Sequence, residues 1–69
     1  MKTTVHGHIV SYDEKTTPGM RYLSRELDDA EAKVFFNQAF VHGSAIFENH
    51  LGYKFKLIHH GGEYELVHE

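Results

Sequence analysis

Residues 44–69 read SAIFENHLGYKFKLIHHGGEYELVHE. Gly61-Gly62 is a two-residue turn signal, because the tightest hairpin turns need positive φ at their central positions. That turn sets His60 opposite Glu63, His59 opposite Tyr64, Leu57 opposite Leu66 and Phe55 opposite His68. Upstream, His50-Leu51-Gly52 is a three-residue turn with glycine at the left-handed position. It sets Asn49 opposite Tyr53, Glu48 opposite Lys54 and Phe47 opposite Phe55. The stretch is thus a β-meander of three strands: Ser44 to Asn49, Tyr53 to His60 and Glu63 to His68.

This register sorts the side chains. One face collects Ala45, Phe47, Tyr53, Phe55, Leu57, Tyr64 and Leu66. The other carries Glu48, Lys54 and Glu69 in one row of unlike neighbours. A slip of one residue sends lysines into the core and breaks that row.

Immediately upstream, the pattern is helical from about Asp29 to about Val41, with Gly43 as its stop. Asp28 and Glu31 have capping-box spacing, Leu27 and Ala32 sit at staple positions, and the acids at 28, 29 and 31 suit the positive helix end. At 100° per residue, Ala32, Phe35, Phe36, Ala39 and Phe40 form one apolar stripe, expected against the sheet. Leu27, Ala30, Val34 and Val41 form a second, nearly opposite stripe. Residues 13–27 folding back, or another chain, are expected to cover it.

Further towards the N-terminus, Thr3 to Tyr12 reads as one strand. Val5, Gly7 and Ile9 lie on one side, and His6, His8, Val10 and Tyr12 on the other. Pro18-Gly19 is a turn signal. Met20 to Glu26 reads as a short strand or, from Leu23, as a helical turn. The expected fold class is α+β, a single domain over 1–69. A single helix packs on one face of a mostly antiparallel sheet, in ββαβββ or βαβββ order with a C-terminal β-meander.

Composition bounds the function. The chain has 69 residues, no cysteine and a net charge of −3 with histidine neutral. Disulfides, thiolate metal sites and thiol catalysis are excluded. The charge argues mildly against a binder of a nucleic-acid phosphate backbone, which is normally basic, and no run approaches the roughly 18–20 apolar residues of a membrane span. The lack of an apolar N-terminal run fits a cytoplasmic protein. No cofactor motif is present: Gly61-Gly62 is followed by neither the lysine-serine nor the helix start of a phosphate loop.

Both apolar surpluses nominate interaction surfaces. On the outer sheet face these are Val10, Ile46, Ile58 and Val67; on the helix they are Leu27, Val34 and Val41. A small non-enzymatic interaction or regulatory module, self-associating as a homodimer or bound to another protein, is the leading expectation. The runner-up is a nucleic-acid-binding accessory protein, with Arg21, Arg25, Lys54 and Lys56 as a basic edge and Tyr22 and Tyr53 for stacking. A third possibility uses the seven histidines: His6, His8, His60 and Glu63 as ligands of a transition metal.

Overall fold

A computed structural model describes residues 1–69. The elements are β1 (Lys2–Val5), β2 (His8–Ser11), α1 (Thr17–Arg21) running into a π-helical turn (Tyr22–Glu26), α2 (Asp29–His42), β3 (Ser44–Glu48), β4 (Lys54–His60) and β5 (Glu63–His68). The fold is α+β: one five-stranded sheet in the order β1-β2-β5-β4-β3, plus two helices. All neighbouring strands are antiparallel except β2 and β5, which run parallel.

The meander pairs as its turns dictate. Phe47 faces Phe55, Glu48 faces Lys54, Leu57 faces Leu66 and His60 faces Glu63. Asn49 holds the β3–β4 turn: its Oδ1 accepts the Leu51 N–H at 3.1 Å and the Tyr53 N–H at 2.9 Å. Tyr53, expected on the inner face, is exposed. Asn49 fills the inward position at that end of the sheet and is 5% exposed.

Helix α2 also starts and stops where its caps direct. The Asp28 carboxylate accepts the Glu31 N–H at 2.8 Å, and Glu31 accepts the Asp28 N–H at 3.1 Å. Gly43 ends the helix at φ 90°. The buried stripe is Ala32, Phe36 and Ala39, the i, i+4, i+7 spacing of one helix face. Phe35 is half-buried against Phe47. Phe40 departs from the expected stripe: it is 64% exposed and meets His59 edge-on, ring centres 5.0 Å apart.

The N-terminal third differs most from the sequence reading. The expected single strand is a hairpin that turns at His6 (φ 48°) and Gly7 (φ 83°). A two-residue turn with both φ values positive suits the twist of the strands it joins. The left-handed conformation of His6 is held by its side chain. Nε2 lies 2.9 Å from the Leu23 carbonyl and 3.1 Å from the Leu27 carbonyl. Carbonyls only accept, so Nε2 carries the proton. His6 thereby satisfies two carbonyls where the π-helical turn ends.

Pro18-Gly19 opens a helix rather than a turn, so the chain has two helices where one was expected. Proline is favoured in the first helical turn, where its missing N–H costs no hydrogen bond. Asp13 and Thr16 brace the approach to it: Asp13 Oδ1 accepts the Thr16 N–H at 3.0 Å, and Thr16 Oγ1 accepts the Asp13 N–H at 2.9 Å. The Thr16 N–H bond holds the Asp13 carboxyl below the usual carboxylate range. Leu23 is fully buried, and Gly19 packs directly on the Phe55 ring. Residues 13–27 therefore lie beside α2 on the inner sheet face. They do not fold back over the second stripe of α2, so Val34 and Val41 stay exposed.

Candidate functional site

The helical layer covers one face of the sheet. Inward residues of β2, β3, β4 and β5 (Val10, Phe47, Leu57 and Leu66 among them) are buried, while their outward neighbours are exposed or half-buried. Cross-strand register makes Val67, Lys56 and Ile46 one continuous outward row, with Ile58 beside it between Glu65 and Ser44. Ile46 is 54% exposed; Ile58 and Val67 are half-buried. Lysine stems cover apolar neighbours while keeping the charge in water, so Lys56 continues the row.

Two expected interface residues lie elsewhere. Val10 is buried in the core, because the hairpin at His6-Gly7 reverses the chain and turns that side of β2 inward. Ile9 takes the outward place and is 44% exposed. Leu27 packs half-buried against the core, since the end of the π-helical turn draws it under the sheet-side layer. Val34 and Val41 point away from the sheet, 56% and 71% exposed. They stand two helical turns apart, with no further large apolar residue of their stripe between them.

The metal set is not assembled. His6 bonds the carbonyls of Leu23 and Leu27, with its Nδ1 3.5 Å from Asp29. His8 faces inward, stacked on Phe36 with ring centres 4.3 Å apart. His60 and Glu63 stand on the opposite, open face, where Glu63 pairs with Lys2 at 2.9 Å. The sheet separates the two halves of the set, and no three potential ligands converge anywhere in the chain.

The expected basic edge is also divided. Lys54 and Lys56 lie on the open face of β4, whereas Arg21 and Arg25 stand in the helical layer. Arg21 and Arg25 border a cavity of about 370 Å³ with Tyr22, Glu26, Asn49 and His50 on its walls. Asn49 and His50 were not among the expected site residues. The sequence cue for Asn49 is its place just before a three-residue turn, where an asparagine side chain commonly bonds the turn's backbone. The buried Tyr64 hydroxyl donates to the Phe36 carbonyl at 3.4 Å, and burial raises its pKa.

No helix is long and apolar enough to cross a membrane. The chain matches no protein-family model, and no curated protein or solved structure matches it significantly.

Proposed function

We propose that the chain is a small binding module, without catalytic activity, that pairs with a second copy of itself through the open face of its sheet. The carrying observation is the row Val67–Lys56–Ile46 with Ile58 beside it, uncovered by any segment of the chain. An open antiparallel face is ordinarily polar, and contiguous apolar residues there mark an interaction surface.

A second copy suits this face for two reasons. It carries both signs, Lys2, Lys54 and Lys56 against Glu48, Glu63 and Glu65, so a twofold pairing can set unlike charges together. An ordinary interface takes about 800 Å² from each partner. On a molecule whose whole surface is 4409 Å², a face as wide as the sheet offers that, and two separated valines on α2 do not. Binding rather than catalysis fits the histidine–acid pairs: Glu63, across from His60, is engaged by Lys2, and His6, 3.5 Å from Asp29, is tied to the Leu23 and Leu27 carbonyls.

Sedimentation of the wild type, Ile46→Lys, Lys56→Glu and Val34→Lys tests the proposal. The wild type should sediment as a dimer at micromolar concentration, and Ile46→Lys and Lys56→Glu as monomers with native circular dichroism. Val34→Lys should remain dimeric. A wild type monomeric at every concentration, or a dimer broken only by Val34→Lys, overturns it.

A further inference from the structure

The cavity beside the π-helical turn is built differently from the open face. Arg21 and Arg25 are one helical turn apart on its wall, and neither guanidinium has a carboxylate within ion-pairing distance or a hydrogen-bond partner. Two free guanidinium forks at this spacing suit a phosphate, whose oxygens match their geometry. The ring of Tyr22 is stacked between Phe47, at 6.0 Å, and His50, at 6.4 Å, so the wall carries rigid aromatic surface beside the cations.

Asn49 adds a neutral donor to the same wall. It is 5% exposed and lines the same cavity. Its Oδ1 accepts two backbone N–H groups, which fixes the orientation of the amide. Nδ2 is left with two donor hydrogens and no partner in the chain. No buried side-chain nitrogen or oxygen of the chain lacks a partner, so this nitrogen reaches the water of the cavity and is free to donate to a ligand there. A volume of about 370 Å³ lies at the small end of small-molecule sites, which run from about 300 to 1,000 Å³.

We propose that this cavity binds one nucleoside phosphate unit. The phosphate sits between Arg21, Arg25 and the Asn49 amide, and the base lies against the Tyr22–His50 wall. Glu26, the one acid on the wall, accepts from a ribose hydroxyl or a base amino group. A free mononucleotide and one residue of a single strand present the same chemistry. The site does not depend on the dimer proposed above, since it lies in the helical layer and not on the open sheet face.

Nuclear magnetic resonance titration and calorimetry on the whole chain test this. The probes are adenosine 5′-monophosphate, adenosine, inorganic phosphate and a short single-stranded oligonucleotide. The monophosphate should bind with one-to-one stoichiometry and a Kd below about 1 mM, shift the Tyr22 and His50 ring signals, and outbind adenosine and phosphate alone. Arg21→Gln with Arg25→Gln should weaken it at least tenfold, roughly what one lost charged hydrogen bond costs. Asn49→Asp keeps an oxygen for the Leu51 and Tyr53 N–H groups but sets a negative charge towards the phosphate, and should weaken it likewise. An oligonucleotide bound more tightly than the monophosphate, with steep salt dependence, identifies a single strand as the source; equal or weaker binding identifies the free nucleotide. Absence of saturable binding, phosphate binding as tightly as the monophosphate, or an affinity unchanged by the arginine substitutions overturns the proposal.

Discussion

Gly19→Ala should destabilise the protein although it adds a better helix former. A Cβ on Gly19 would lie 2.8, 2.9 and 3.0 Å from Cγ, Cδ1 and Cδ2 of Phe55. The Phe55 ring is 1% exposed and is bounded by Phe47 at 5.7 Å and His68 at 5.3 Å, so it has little room to retreat. Overpacking of this kind costs about 1–3 kcal/mol. Exchanging glycine for alanine inside a helix recovers at most about 1 kcal/mol. The net loss is up to about 2 kcal/mol, and at about 4–8 °C per kcal/mol for a domain of this size Tm should fall by up to roughly 15 °C. Thermal and urea unfolding followed by circular dichroism read the change. In a Phe55→Ala background the same substitution should cost less, by a coupling of about 1 kcal/mol, because Cγ, Cδ1 and Cδ2, the carbons it strikes, are gone. A higher Tm for Gly19→Ala, or an equal cost in both backgrounds, would refute close packing of α1 on β4.

Asp28→Ala removes the capping box of α2 and should cost about 1 kcal/mol, measured by urea unfolding. His6→Asn places a better turn residue at φ 48° but loses the bonds to the Leu23 and Leu27 carbonyls. Leaving carbonyls unsatisfied costs about 1–3 kcal/mol, so the variant should unfold earlier despite its turn preference. The carboxyl of Asp13 is lowered from 3.8 chiefly by the Thr16 N–H bond. Its contribution to stability is complete above that value and is lost as pH falls through the lower folded pKa, because the unfolded chain binds the proton first. Asp13→Asn should flatten the acid limb of the stability curve below about pH 4 and leave its pH dependence near neutrality unchanged.

The elements legible in the sequence are those whose geometry is set by neighbours. Helix α2 is bracketed by Asp28, Glu31 and Gly43, which act within a few residues of the backbone groups they satisfy. The meander register follows from two glycine-containing turns, because once a turn is fixed every cross-strand pair beyond it is fixed. Ile46, Ile58 and Val67 could therefore be placed outward from sequence. The Pro18-Gly19 signal misled because proline serves the first turn of a helix as well as a β-turn; contact between Gly19 and Phe55, distant in sequence, sides with the helix.

By itself the sequence determined the α2–β3–β4–β5 unit, its inward aromatics apart from Phe40 and Tyr53, and the apolar row on its outer side, since each rests on local turn and cap chemistry. Tertiary structure decided the N-terminal third. A two-residue turn at His6-Gly7 puts Val5 and Val10 on one face, whereas an unbroken strand would put them on opposite faces. Which face of β2 turns inward is then settled by its parallel pairing with β5, where Val10 meets Tyr64 across most of the chain's length. The same long-range packing sets Arg21 and Arg25 beside Asn49 and His50, and sends His6 and His8 away from His60. Alternation along a strand is a local rule, but the face it points to the core is chosen by which strand lies alongside.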